Sequence, residues 1–282
     1  MKKSRTCAGS KLYTGASKCP PDFKKVKGAI IVQRGYKLPA DLTADKLEEL
    51  AHADDNTRIF GILPFVEYAN NGGEVQVADN GYGGPQQTGV STRTDTFTMA
   101  KFDPSIRASI AKCKNKPFDV YFFDKQNMLI GQNDGTDVLA GIQMALIYAG
   151  SVDHPTSSAA TSMTVSFAYD DAEDAIINWD YYQADVKFLK LTLGLTPVVL
   201  AKTSDTGTTY KILEKVGGYD VTSIYGPLVG TAGTSVITGT PSAVTYNTDE
   251  QTLTITVTGG AEPHLKSAGV LYANDIKGIE EA

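Results

Sequence analysis

The sequence predicts a mainly β protein. The expected form is a β-sandwich or β-barrel tube-like domain with one or two short helices, plus a C-terminal immunoglobulin-like β-sandwich. Three observations carry this. The 282-residue chain holds 27 Gly and 14 Tyr, with Thr and Val throughout; Thr, Val and Tyr suit a pleated, half-buried surface, and Gly supplies the turns between strands. Stretches such as Ser162–Tyr169 (SMTVSFAY) alternate polar and apolar residues with the period of a strand. Beyond residue 195, short β-like runs recur at even spacing between Gly-, Asn-, Thr- and Pro-rich turns. With 41% apolar and 21% charged residues, the chain can bury a proper core.

The elements follow in order. Residues 1–28 lack apolar periodicity and contain Pro20-Pro21, so they read as a basic N-terminal arm. A β-rich assembly domain is expected over 29–195 and the immunoglobulin-like sandwich over 196–282. Ala29–Val32 is a short strand, and Asp41–Ala53 a helix with Asp41 or Thr43 at its N-cap. Ile59–Tyr68 and Glu74–Ala78 read as strands. The Gly-, Asn- and Gln-rich stretch from Gly72 to Gly89 reads as a long flexible loop, and long loops in compact domains are often functional. Val90–Met99 is a partly exposed strand. Pro104–Lys112 is a helix with Pro in its first turn. Phe118–Asp124 and Asn127–Gly131 form a hairpin. Val138–Ala149 fits helix or strand, and its neighbours favour strand. Asp170–Trp179 holds one helical turn, and Val186–Leu193 is another strand. The last domain takes strands at Val198–Lys202, Thr208–Lys215, Val221–Tyr225, Val244–Tyr246, Thr252–Thr258 and Val270–Tyr272.

The net charge of −6 argues against tight nucleic-acid binding, which needs clustered Lys and Arg. The charge is uneven, because the first 27 residues carry eight basic side chains against the single acid Asp22. Such a start is either a solvated arm or an arm that docks on an acidic neighbouring subunit. No run approaches the length of a membrane span. Met1–Arg5 has the charge of a signal-peptide start without the apolar region that should follow, so synthesis and retention in the cytoplasm are expected. Cys7 and Cys19 are placed to close a loop across the arm; the plainer reading, with Cys113, is three free thiols in a reducing cytosol.

Residues for chemistry are scarce. His52, His154 and His264 have no partners at metal-ligand spacing and read as ordinary surface residues. The hydrolase, zinc-protease and phosphate-loop motifs are absent. Asp134 with Asp137, and the run Asp170-Asp171-Glu173-Asp174, offer oxygen ligands for a hard cation but lack the calcium-loop spacing. No enzyme activity, cofactor or metal is expected.

Several stretches resemble virion structural proteins of tailed bacteriophages, in the style of phages of gut Bacteroidetes including the crAss-like group. They are Ser91–Met99 (STRTDTFTM), Phe118–Asp124 (FDVYFFD), Gly131–Gly135 (GQNDG) and Leu265–Asp275 (LKSAGVLYAND). The resemblance is one of style and covers roughly residues 30–280. It implies a ring or tube protein of the tail or head–tail connector, located in the virion, assembling with itself in six-fold or twelve-fold rings and with neighbouring virion proteins. DNA would pass through without specific binding, because an acidic lumen repels phosphate. A capsid decoration protein is the competing placement, and a carbohydrate-binding or adhesin module the alternative outside it. On the assembly reading, the contact candidates are Lys2, Lys3, Arg5, Lys11, Lys18, Lys24 and Lys25 in the arm, Tyr82, Gly83 and Gly84 in the Gly-rich loop, and Arg93.

Overall fold

The computed structural model describes residues 25–153, 161–204, 207–258 and 261–282. Within them the protein is mainly β, with sixteen strands and five short helices. It divides into two compact units. One holds the residues up to Leu47 together with Ile59–Leu191; the other holds Glu48–Arg58 together with Thr192–Ala282.

In the first unit the strands are β1 (Val26–Gln33), β2 (Phe60–Ile62), β3 (Phe65–Gly72), β4 (Val75–Asp79), β5 (Pro85–Val90), β6 (Arg93–Met99), β7 (Phe118–Asp124), β8 (Met128–Gln132), β9 (Ile142–Asp153), β10 (Ser162–Tyr169) and β11 (Trp179–Gln183). Helix α1 (Ala44–Ala51) runs from this unit into the second, while α2 (Pro104–Lys112) and α3 (Ala172–Ile177) lie wholly in the first. Nine of the strands form one sheet that forks at β7. One edge of β7 pairs along its length with β1, which also carries β2. On the other edge Phe118–Val120 pair with β9, while Phe122 and Phe123 pair with β8. The β9 branch continues through β10 and β6 to β3, and the β8 branch to β11. The sheet curls into a half-barrel that brings β3 back near β1, where Lys27 Nζ donates to the Phe65 carbonyl (3.4 Å).

The curl encloses an aromatic core to which β3, β6, β7 and β10 each contribute one phenylalanine. The Phe97 ring lies 4.6 Å from Phe65, 5.2 Å from Phe122 and 5.8 Å from Phe167. Strand residues alternate faces, so β7 sends Val120 and Phe122 inward and Tyr121 and Phe123 to the opposite side. That side is buried too, and Phe123 stacks on Phe188 at 4.7 Å. This explains a departure from expectation at Val186–Leu193. Its alternation is real, with Val186 and Phe188 buried and Lys187 and Leu189 exposed, yet it pairs with no strand and makes one 3-10 turn at Phe188–Lys190. The alternation reflects a covering segment. The ambiguous Val138–Ala149 region resolves as strand β9, and Asp103 caps α2 by accepting from the Ser105 and Ile106 amides. Ile59–Tyr68 is two strands, separated at the cis Leu63–Pro64 peptide.

The second unit contains β12 (Thr196–Lys202), β13 (Thr209–Glu214), α4 (Thr222–Ala232), β14 (Pro241–Asn247), β15 (Thr252–Val257), α5 (Ala268–Tyr272) and β16 (Ile279–Glu281). Its strands form one sheet in the order β14-β15-β13-β12-β16, antiparallel except for the parallel β12–β16 pair. Helix α4 packs on this sheet through Val229, within a core that includes Ile212, Val244, Leu253 and Ile255. The architecture is a single helix-covered sheet, which differs from the two facing sheets of the expected immunoglobulin-like sandwich. The reason lies in Val221–Tyr225 and Val270–Tyr272. Both are apolar and β-branched enough to read as strands, but they are helical, so material assigned to a second sheet forms α4 and α5. Pro227 inside α4 conceals it further.

Candidate assembly interface

Strands β3 and β6 run together to Gly72 and Arg93, where the ladder breaks and a second ribbon begins. Gly72 and Gly73 both have left-handed φ angles (78° and 79°), and a Cβ on Gly72 would lie 1.8 Å from the Thr92 carbonyl oxygen, so only glycine fits there. Three bonds carry the chain across the break: Gly73 N to Thr92 O (3.3 Å), Ser91 N to Glu74 O (2.9 Å) and Glu74 N to Ser91 Oγ (3.0 Å). Beyond it, among the described residues, β4 and β5 pair with each other alone. Expected as a flexible loop around one short strand, residues 75–90 are an ordered two-stranded ribbon. The Gly, Gln and Thr content pointed to a loop, whereas the hydrogen-bonded ladder needs only alternating backbone.

Every residue of β4 is exposed, and β5 is exposed over Pro85–Thr88. The register places Val75, Val77, Asp79, Pro85, Gln87 and Val90 on one face and Gln76, Ala78 and Gln86 on the other. Val75 and Val77 are 56% and 59% exposed, and Tyr82 in the turn is fully exposed. The turn depends on Gly81 and Gly84 at φ 58° and 77°, while Gly83 donates to the Asn80 carbonyl. Between Val75 and Val90 the single charged residue is Asp79, and there is no lysine. Exposed edges are usually blunted with such charges, because unpaired N–H and C=O groups template pairing with another chain. A two-stranded hairpin alone is also marginal in water. The ribbon therefore offers apolar side chains and open backbone edges together, the chemistry of association by strand addition.

Arg93 sits at the root of this ribbon and is turned inward. Its guanidinium bonds to Asp95, which is fully buried, through Nε (3.0 Å) and Nη2 (3.2 Å). Asp95 also accepts from the hydroxyls of Tyr68 (3.1 Å) and Tyr169 (2.7 Å). The guanidinium lies over the rings of Tyr169 and Trp179, 5.2 Å and 4.9 Å from their centroids. Burial, reinforced by the Asp95 charge, pushes the Tyr68 phenol up to about 12 and that of Tyr169 well above its ordinary value. The cluster thus fixes the base of the ribbon.

Of the contact candidates, Tyr82, Gly83 and Gly84 share the ribbon tip, and Arg93 its base. Lys25 is exposed directly before β1, and its carbonyl accepts from the Lys125 amide (3.1 Å). Lys2, Lys3, Arg5, Lys11, Lys18 and Lys24 lie outside the described residues, as do Cys7, Cys19 and His154. Sequence reading missed Val75 and Val77. Their alternating Val-Gln-Val lies in Glu74–Ala78, which reads as a strand, but nothing in that stretch marks the two side chains as exposed.

A polar cleft of about 230 Å³ lies elsewhere in the first unit, lined by Tyr36, Lys37, Asp119, Gln132, Asp134, Gln143, Asp174 and Asn178 among others. Arg34 Nε stands 3.2 Å from the Asp119 carboxylate, its Nη1 2.8 Å from Asp170, and Lys37 pairs with Asp134. Asp119 Oδ2 accepts from the Gly35 amide (2.7 Å), yet burial pushes its carboxyl up. Gln132 is buried and donates Nε2 to Asp174 (3.3 Å). Among the described residues no group of three or more His, Cys, Asp or Glu is placed to hold a metal ion.

His52, expected at the surface, is buried in the second unit. Its Nδ1 donates to the Glu48 carbonyl (2.6 Å), its Nε2 accepts from the Gly278 amide (2.9 Å), and its ring stacks on Tyr272 at 4.7 Å. The backbone partners fix the neutral tautomer, and burial lowers its pKa. A histidine four residues after Glu48 on a short helix gave no hint that Gly278, far along the chain, would close over it. His264 is exposed as expected and faces Glu281 (3.0 Å).

The described residues form a β-rich fold that carries an exposed two-stranded ribbon. Neither a protein-family model nor a curated protein matches the chain. Among solved structures it is similar to the cryo-EM structure of the anti-feeding prophage cap, a tube-terminating cap. The likeness covers 60% of this chain and 95% of that one, at 11% identity and a TM-score of 0.27. That score is too low to define a shared fold, and the functional reading rests on the ribbon instead. Among the described residues no helix is long and apolar enough to cross a membrane.

Proposed function

We propose that this chain is a structural protein of a tailed-phage particle and acts by assembling with copies of itself and with neighbouring virion proteins, without chemistry of its own. The β4–β5 ribbon carries the reading. It is ordered, held at its base by a buried ion pair, and exposes Val75, Val77 and Tyr82. A monomer gains nothing from displaying them, whereas a neighbour that covers them recovers their burial free energy, about 25 cal/mol per Å² of apolar surface. The resemblance of the FDVYFFD and STRTDTFTM strands to phage virion proteins supplies the setting, with a ring or tube of the tail or connector as the finer placement. A ribbon docking on a different surface of the next copy makes a heterologous interface, which closes into rings or continues as a tube. The acidic balance of −6 suits a conduit along which DNA slides.

Replacing residues 76–89 by a two-residue turn, which keeps Val90 on the core, tests this. The expected product keeps the fluorescence and unfolding midpoint of the parent and loses its large assemblies. Unchanged assembly would remove the ribbon from the account.

A further inference from the structure

We infer that Glu48–Arg58 is a strap latched into the second unit by His52, closed while that imidazole is neutral and released when it takes a proton. Three observations lead there.

The first is how the strap is held. Its sequence, EELAHADDNTR, brings only Leu50, Ala51 and Ala53 as apolar residues. The main apolar cluster of the second unit is drawn from residues 198–279. The strap is tied to that unit by polar bonds instead. Glu48 accepts from the Thr192 amide (3.1 Å) and pairs with Lys277 (2.7 Å), Asp54 accepts from the Gly269 amide (3.3 Å), and Arg58 pairs with Glu280 (2.6 Å). Segments held by few apolar contacts open at low free energy, without the rest of the fold.

The second is the latch itself. His52 is fully buried and both its ring nitrogens face backbone, Nδ1 the Glu48 carbonyl and Nε2 the Gly278 amide. A proton added to Nε2 points an N–H at an N–H, so the charged ring loses the Gly278 bond. A buried charge also needs a partner. The charged groups around the ring are Glu48, Asp54 and Arg58 on the strap, Lys277 with Asp275 nearby, and Glu280 on Arg58. Burial opposes the charge of Glu48, yet the bonds from Lys277 and the Thr192 amide outweigh it and hold that carboxyl below its ordinary range. Glu48 is thus committed elsewhere. Lys277 Nζ lies 5.4 Å from the centroid of the Tyr272 ring on which His52 stacks, and both Lys277 and Arg58 oppose a further positive charge.

The third is what the latch holds. The Gly278 carbonyl accepts from the Thr196 amide (2.8 Å) at the start of β12, and the next residue, Ile279, pairs with Thr196 in β16. The chain passes between the two units at 47/48, 58/59 and 191/192. With the strap released, Thr192–Ala282 join the rest of the chain at 191/192 alone.

The test is hydrogen exchange of the full chain, read by mass spectrometry at about pH 7.5, 6.5 and 5.5, with rates corrected for their intrinsic pH dependence, in buffer and in about 1 M urea. Peptides covering the strap and Gly278 should exchange faster than β13 and β15 at each pH and without response to urea, as a local opening does. The strap is most secure above about pH 6.5 and loosens as pH falls. An open state with the ordinary histidine pKa of about 6.5, against a closed state that stays neutral, raises the opening constant about fivefold from pH 6.5 to 5.5. His52→Gln has no such proton to gain and should bring that ratio to about one, whether or not it loosens the strap. Strap exchange that matches β13 and β15 at every pH would mean that it opens only with the whole unit, and would overturn the inference. A ratio near one in the parent, or near five in the His52→Gln variant, would overturn it as well.

Discussion

Replacing Asp95 by alanine should unfold the first unit at much lower denaturant, and the size of the effect follows from what the carboxylate holds. It accepts two bonds from Arg93 and one each from Tyr68 and Tyr169, with no exposure to solvent. Its removal leaves a guanidinium whose side chain is only 12% exposed with the Tyr68 hydroxyl as its remaining partner, and takes the acceptor from the buried Tyr169 hydroxyl. Breaking a buried pair from one side costs about 3–5 kcal/mol. With a urea dependence of about 2 kcal/mol per molar, the midpoint should fall by roughly 1.5–2.5 M. The chain's single tryptophan, Trp179, lies in the same unit against Arg93, so its fluorescence reports this unit's unfolding. Arg93→Met should cost a similar amount. The double variant Arg93→Met with Asp95→Leu should cost at least about 2 kcal/mol less than the sum, because no charge is then left alone. A midpoint change below about 0.5 M for Asp95→Ala, or additivity in the double variant, would refute the reasoning.

Three further outcomes follow from the same structure. Val75→Ser with Val77→Ser should leave the unfolding midpoint within about 0.5 kcal/mol of the parent, as surface changes do, while lowering assembled mass in sedimentation. Phe97→Ala removes the ring shared by Phe65, Phe122 and Phe167 and should cost about 3–5 kcal/mol by the same fluorescence assay. His52 sets a pH dependence in the second unit. Its folded pKa lies below the unfolded value, so below about 6.5 the unfolded chain binds a proton that the folded one refuses. Stability should therefore fall as pH drops from about 6.5, and calorimetry of His52→Leu should show a shallower fall over pH 5–7.

Much of the first unit was legible because its strands carry strong local signals. FDVYFFD and SMTVSFAY have strand-like composition and period, and Pro104 in the first turn announces α2. The second unit was harder. TSIYGPLVGTA is apolar, β-branched and broken by Pro227, so local preference pointed to a strand where packing on β13–β15 makes a helix. Residues 75–90 misled in the opposite sense, since their Gln and Gly content hid a ladder whose stability comes from backbone pairing and a fixed base. The Asp95 cluster and the Asp119 cleft were invisible for a common reason. Each joins residues far apart in sequence, as Asp95 to Tyr169 or Arg34 to Asp170, and only the curl of the sheet brings them together.

The central claim is that this chain works by assembling, and the mass of the purified full-length protein in solution, measured by light scattering across a concentration series and followed by negative-stain microscopy, tests it most directly. The account predicts species at multiples of 30.1 kDa that resolve as rings or tubes. A 30.1 kDa monomer at every concentration, with no particles on the grid, would contradict it.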